Sequence, residues 1–83
     1  MVIKEKWGVP YEQIYSFFQE QTDVFVHKNG FRYQDCYITF SAFEEKVFGK
    51  WNMPHTKIQF EGSEKSVKTI YRRFFLRFLS AGG

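Results

Sequence analysis

The sequence has little of what marks several common protein classes. Cys36 is its only cysteine, so neither an intrachain disulfide nor a zinc site built on several cysteines can form. We therefore expect a reducing, cytoplasmic location. The longest apolar runs are a few residues, far short of a membrane span, and the first seven residues are too charged for a signal peptide. With two prolines and six glycines, the composition is not that of a disordered chain.

Aromatic side chains are abundant instead. They make up 22% of the 83 residues, and 11 of them are phenylalanine. This is enough to build a core, and the length predicts one domain over residues 1–83. The formal net charge is +3, and residues 57–83 hold six Lys or Arg against two Glu. The positive bias of this last third indicates an acidic partner.

Two segments have the period of amphipathic helices. Tyr11, Ile14, Tyr15 and Phe18 form an apolar stripe that begins after Pro10, a residue suited to a first helical turn. A second helix is predicted from about Glu64 to Ser80, with an N-cap in Gly62-Ser63 and an end at Gly82. Its core stripe consists of Val67, Ile70, Tyr71, Phe74 and Phe78.

Between the helices the apolar period changes to two. Asn29-Gly30 is a strong hairpin signal, and a two-residue loop there would place Lys28 opposite Phe31 and Val26 opposite Tyr33. One strand running from Phe31 to Phe40 would then turn Cys36, Ile38 and Phe40 to the core. Its other face would carry Phe31, Tyr33 and Tyr37 outward.

The remaining segments complete the predicted fold. Residues 1–7 could form a leading edge strand, and residues 56–61 alternate as an antiparallel strand with one wet face. For residues 41–54 we favour an irregular connection over a short helix capped at Ser41 and ended by Gly49, or a continued strand. The order (β)-α-β-β-β-α predicts an α+β fold, with a small antiparallel sheet of three to four strands and both helices on one face.

Surplus apolar side chains indicate a protein interface. The candidates are Phe31, Tyr33, Tyr37, Phe75, Leu76 and Leu79. Three interpretations of the outward hairpin aromatics stay open: plain cross-strand packing, burial by a partner chain, and stacking on bases. The string Gly30-Phe31-Arg32-Tyr33 resembles the third strand of RNA-recognition motifs over about four residues, and that resemblance implies base stacking.

Basic residues on the second helix support a nucleic-acid hypothesis. The candidates are Lys65, Lys68, Arg72, Arg73 and, on the hairpin, Arg32. Residues 62–68, GSEKSVK, resemble the phosphate-gripping run of double-stranded-RNA-binding domains, with Glu64 where that family has a lysine. A solvated helix face is the competing interpretation.

The sequence gives catalysis little support. No glycine-rich phosphate loop or Gly-x-Ser-x-Gly motif occurs, and no His, Cys or Asp pair has metal-ligand spacing, so we predict neither an enzyme nor a cofactor. Gly82-Gly83 resembles the diglycine of ubiquitin-like modifiers. There it extends from a strand, whereas here it follows the predicted helix, and we interpret it as a helix cap.

Together these features predict a small non-enzymatic binding module. A protein-interaction or homo-oligomerising accessory protein is the first hypothesis, with a protein partner or a homodimer. The alternative is an RNA- or DNA-binding module that combines the basic helix with the hairpin aromatics. No membrane and no small-molecule substrate is expected.

Overall fold

The described part of the chain forms a five-stranded antiparallel sheet with two helices. The structure, a computed structural model, describes residues 1–47 and 51–79, with the side chains of 44–47 and 51–54 outside that description. In chain order the elements are β1 (Val2–Trp7), α1 (Tyr11–Glu20), β2 (Phe25–His27), β3 (Gly30–Tyr33), β4 (Cys36–Val47), β5 (Trp51–Glu61) and α2 (Glu64–Phe78). The sheet order is β1-β5-β4-β3-β2, and all neighbours are antiparallel. The predicted α+β class is confirmed, including the leading edge strand, but the described residues form five strands rather than three to four.

Both helices form where the apolar period predicts them. Pro10 is the N-cap residue of α1, which buries Ile14, Phe17 and Phe18. The N-cap of α2 is Ser63, whose hydroxyl oxygen accepts a hydrogen bond from the Ser66 backbone N–H, 3.4 Å away. The α2 stripe faces inward as expected, with Tyr71 only partly buried. The predicted ends of α2 at Ser80 and Gly82 lie outside the described residues, as does Gly49.

The hairpin register is shifted by one residue from the prediction. His27 pairs with Gly30, so the turn residues are Lys28 and Asn29, and Lys28 takes a positive φ of 49°. Gly30 is therefore a strand residue, placed close to β4. A Cβ atom at Gly30 would lie 1.8 Å from the Ile38 backbone oxygen. The glycine is needed for this close approach, and the dipeptide that signals a turn is only half in it.

A second turn divides the long strand predicted from Phe31 to Phe40. Gln34 and Asp35 separate β3 from β4, Gln34 has a φ of 53°, and Tyr33 pairs with Cys36. Because residues opposite one another in a ladder share a face, Phe31 and Tyr33 lie on the same face as Cys36. Phe31 is 1% exposed and Tyr33 6%. The prediction that Phe31 and Tyr33 face outward is wrong; Tyr37 does face outward.

The connection expected at residues 41–54 is also wrong. β4 runs on to Val47 and β5 starts at Trp51, and the pairing continues from Tyr37–Glu61 to Val47–Trp51. Beyond Ala42 and Thr56 this two-stranded ribbon has no further strand neighbour among the described residues. We call it the β4–β5 arm. The third alternative, a strand that continues past Ser41, was the closest to the structure.

The core lies between the helices and the inner face of the sheet, and it is built largely of phenylalanine rings. Phe18 lies at its centre, with its ring centre 5.6 Å from that of Phe31, 6.3 Å from Phe60 and 6.0 Å from Phe74. The buried hydroxyl of Thr56 donates to the Val9 carbonyl at 2.6 Å. In the described part of the chain, every buried side-chain nitrogen and oxygen has a hydrogen-bond partner. A packed interior with all its described polar groups hydrogen-bonded holds the strands and helices in place, and with them the side chains on the outer surfaces.

Candidate functional site

The end of α2 carries an exposed apolar surface, formed by Phe75, Leu76 and Leu79, which we call the α2 end patch. Phe75 is 36% exposed, Leu76 60% and Leu79 56%. The patch adjoins the core at Trp7, whose ring centre lies 5.9 Å from that of Phe75 in an edge contact. These three interface candidates therefore lie together on one exposed surface, and their role stays a prediction.

A hydrogen-bonded group fixes the side chains that support this patch. The Trp7 indole N–H donates to Glu5 Oε1 at 2.9 Å, and the Tyr71 hydroxyl donates to both Glu5 oxygens at 2.8 and 2.9 Å. Burial, together with the neighbouring Glu5 carboxylate, raises the pKa of Tyr71 to about 12. Tyr71 is thus a neutral donor at ordinary pH, and it links α2 to β1.

The second surface is the outer face of the sheet, the side turned away from both helices. The register places Arg32, Tyr37 and Glu61 there in one row across β3, β4 and β5. Phe25 continues that row at the edge with 59% exposure, and Tyr37 is 42% exposed. The interface candidates Phe31 and Tyr33 are not on this surface, since both belong to the core.

The structure distributes the nucleic-acid candidates over two sides of the molecule. Arg32 lies on the outer face, whereas Lys65, Lys68, Arg72 and Arg73 lie on α2, which packs against the inner face. Lys68 is 2.5 Å from Glu64 Oε1. The Arg73 guanidinium donates two hydrogen bonds to Asp23, at 2.8 and 3.0 Å. These bonds lower the pKa of the Asp23 carboxyl. Lys65 and Arg72 are exposed. Arg73 alone of these helix candidates is recorded against a hairpin aromatic in the described part of the chain, with its guanidinium carbon 5.2 Å from the centre of the Tyr33 ring.

The thiol of Cys36 is buried in a place where it reacts poorly. Its side chain is 0% exposed, and burial raises its pKa to about 11. Because the thiolate is the reactive form, a thiol held neutral in the core is a poor nucleophile. Within the described ranges, no three His, Cys, Asp or Glu side chains are grouped so as to hold a metal ion. No described helix has the length and apolar character needed to cross a membrane.

Comparison with known proteins adds one decisive match. A family model described as archaeal MoaD-like protein matches residues 3–83, nearly the whole chain. The chain belongs to this MoaD-like family. Neither a curated protein nor a solved structure matches it.

The family match affects the interpretation of one sequence feature, the diglycine at positions 82 and 83. It extends over Gly82-Gly83, which lies outside the described residues and which we interpreted as a helix cap. The diglycine itself is the signal for a role other than a helix cap. The predicted helix directly before it argues against that role in the sequence alone. A second signal in this MoaD-like chain, not used in the prediction of sites from the sequence, is the alternation of Lys4 and Lys6 in β1. A period of two in a strand puts both lysines on the outer face.

Proposed function

We propose that this protein is a small sulfur-carrier-like module that acts by docking on protein partners. The observation that carries the proposal is the MoaD-like family match over residues 3–83, because the family is one of small sulfur carriers that work through protein contacts. This proposal extends the protein-interaction hypothesis, because the docked protein would carry sulfur. The reducing cytoplasm expected from the lone thiol also suits such a cargo.

The chemistry of the chain restricts where sulfur can be held. Cys36 is buried and its pKa is about 11, so it does not suit a persulfide that a partner must reach. A carboxylate at Gly83 can take sulfur as a thiocarboxylate in two steps. A partner enzyme first joins the carboxylate to a phosphate group of a nucleoside triphosphate, as a mixed anhydride. Sulfide then attacks the acyl carbon, so that the C–S bond forms while the C–O bond to the phosphate group breaks, and the phosphate group leaves with that oxygen. Glycines before that carboxylate have no side chains to obstruct entry into a narrow active site. The proposal requires that Gly83 end the mature chain.

The α2 end patch is the docking surface that fits this role. Four residues follow Leu79, and fully extended they span at most about 14 Å. A partner that reaches Gly83 must therefore contact the molecule close to the end of α2. The exposed side chains there, Phe75, Leu76 and Leu79, are apolar and suited to burial by another protein. Self-association through the same patch is the homodimer form of this hypothesis.

One observation supports the nucleic-acid alternative and another counts against it. Lys65 and Arg72 remain exposed on α2, which keeps a phosphate contact sterically open. Base stacking by Phe31 and Tyr33 is not available because both rings are buried. We keep this alternative as a prediction that the salt dependence of RNA binding tests.

Intact mass spectrometry of the protein from its native host tests the proposal. We expect a fraction whose mass corresponds to one oxygen replaced by sulfur, with fragmentation locating the change at Gly83. Deletion of Gly83 should abolish this fraction and Cys36→Ser should keep it. A mass change that persists without Gly83, or that is lost in Cys36→Ser, would place the sulfur elsewhere. A chain found only with the free carboxylate would refute the carrier role.

A matched pair of variants tests the docking surface. Leu76→Lys places a charge in the α2 end patch, and Val26→Lys changes a side chain of similar exposure (66%) in β2, at the opposite edge of the sheet. We expect Leu76→Lys to reduce the sulfur-bearing fraction strongly and Val26→Lys to leave it unchanged. Equal fractions in both variants would exclude the α2 end patch.

A further inference from the structure

The outer face of the sheet contains a hollow of about 590 Å³. It lies over β1, β5 and β4, whose residues at the hollow are Lys4–Lys6, Lys57–Gln59 and Thr39–Ser41, and Asn29 adds a side chain from the neighbouring turn. The register places two rows of side chains on its floor. These are Lys4, Gln59 and Thr39 in one row, and Lys6, Lys57 and Ser41 in the other. We call this site the lysine hollow.

The lysine hollow is strongly positive. Lys4, Lys6 and Lys57 are all exposed, and no ion pair to any of them is found among the described residues. The backbone of Glu5 borders the hollow, but its carboxylate does not face it. Hydrogen bonds from Trp7 and Tyr71 hold that carboxylate on the inner side of the sheet. The nearest described acid on the outer face is Glu61, in the next row beyond Gln59. Three cations thus share a concave surface that has no described acid of its own.

Two of these lysines repel each other in the free protein, which lowers its stability. Lys6 and Lys57 are direct cross-strand partners, and like charges opposite one another destabilise a sheet. Both ammonium groups lie over the Phe43 ring, 5.6 and 5.1 Å from its centre. The ring offsets part of the repulsion through its negative face. A bound anion would remove the rest, so the site gains most from a ligand with several negative charges.

We propose that the lysine hollow binds a polyphosphate ligand of nucleotide size. The volume falls within the range of small-ligand sites, roughly 300–1,000 Å³. Ammonium groups act as point charges toward phosphate oxygens, and three of them match the charge of a nucleoside di- or triphosphate. The uncharged polar side chains of Asn29, Thr39, Ser41 and Gln59 supply donors and acceptors for the rest of such a ligand.

Calorimetric titration of the full chain at low salt tests this proposal. The probes are adenosine triphosphate, inorganic pyrophosphate, adenosine, a short single-stranded RNA and a glutamate-rich peptide. We expect both phosphate compounds to bind, adenosine not to bind, and added salt to weaken binding. Lys57→Gln and Lys6→Gln should each lower the affinity about tenfold, as the loss of one charge-assisted hydrogen bond does. Lys65→Gln on α2 is the matched control and should change nothing.

Each outcome decides the proposal. Tighter binding of adenosine triphosphate than of pyrophosphate assigns a nucleotide, and equal binding assigns a polyphosphate group alone; both support the site. No binding of either compound at millimolar concentration refutes it, and so does a loss in Lys65→Gln as large as in Lys57→Gln. RNA or the acidic peptide binding more tightly than both phosphate compounds would replace the small ligand by a macromolecule. The result is independent of the mass measurement on Gly83, so either proposal can fail alone.

Discussion

The turn at Gln34 and Asp35 decides which of two phenylalanines, Phe31 or Phe25, belongs to the core. The turn places Phe31 opposite the buried Ile38, where it is 1% exposed, while Phe25 lies opposite Arg32 and is 59% exposed. One uninterrupted strand from Phe31 to Phe40 would reverse the two positions, because Phe31 would then lie on the face opposite to Ile38. The free-energy costs of Phe31→Ala and Phe25→Ala therefore test this turn and the β3–β4 pairing directly.

The two costs should differ widely. The Phe31 ring contacts Tyr15, Phe18 and Phe40, with ring centres 5.1, 5.6 and 6.0 Å apart, and removing such a ring costs about 3–5 kcal/mol. Less than half of the Phe25 surface is covered. Since complete burial of a Phe side chain contributes about 1.5–3 kcal/mol, Phe25→Ala should cost no more than about 1 kcal/mol.

Urea unfolding followed by far-UV circular dichroism measures both costs. A difference of about 2 kcal/mol or more corresponds to a midpoint separation on the order of 1 M urea. If Phe31→Ala does not fold, the milder pair Phe31→Leu and Phe25→Leu gives the same comparison, with an expected cost of about 1 kcal/mol for the buried site only. A larger cost at Phe25 than at Phe31 would show that the β3–β4 pairing is wrong.

Two further predictions concern the thiol and the basic helix. Because burial raises the pKa of Cys36 from 9.0 to about 11, its contribution to stability is complete below pH 9 and is lost as the pH rises through the folded value. The thiol should react with a disulfide reagent at pH 8 only after denaturant is added, and rapid reaction of the folded chain would contradict its burial. Sedimentation at two salt concentrations, with and without a short RNA, should show an association that Leu76→Lys abolishes and RNA does not alter. Steeply salt-dependent RNA binding that Lys65→Gln weakens would favour the nucleic-acid alternative instead.

The helices could be predicted because their information is local. The spacing of Ile14 and Phe18, and of Ile70 and Phe74, defines an apolar stripe within a single segment. Their burial against the sheet follows from that stripe alone. The capping serine of α2, Ser63, could be read in the same way, because its partner is only three residues away.

The register and the long ribbon could not be predicted, because their causes lie on other strands. Gly30 reads as a turn residue until the Ile38 backbone is placed beside it. Nothing in residues 34–35 except tolerance of a positive φ marks the turn that brings Tyr33 opposite Cys36. Strand pairing is set by partners distant in sequence, and local preference for a strand depends strongly on that context. The errors over Phe31 and Tyr33 follow from the turn at Gln34 and Asp35 alone.

The candidate sites were predictable to different degrees. The exposed apolar side chains of the α2 end patch could be identified because they lie outside the helix stripe. The lysine hollow could not, because Lys6 and Lys57 are brought together only by the pairing of the first strand with the fifth. The diglycine is visible in the sequence but ambiguous, and the role proposed for it depends on the family match.

The β4–β5 arm has a consequence for how relatives of this chain can vary. Beyond Ala42 and Thr56 each residue pairs only across the arm, and no described strand flanks it on either side. One residue added to each strand there would lengthen the arm without displacing any core side chain. One residue inserted between Phe31 and Tyr33 in β3 would instead put these two core rings on opposite faces of the sheet. An alignment of the family should therefore show its length differences concentrated between Phe43 and His55, and differences concentrated in residues 30–40 would contradict this expectation.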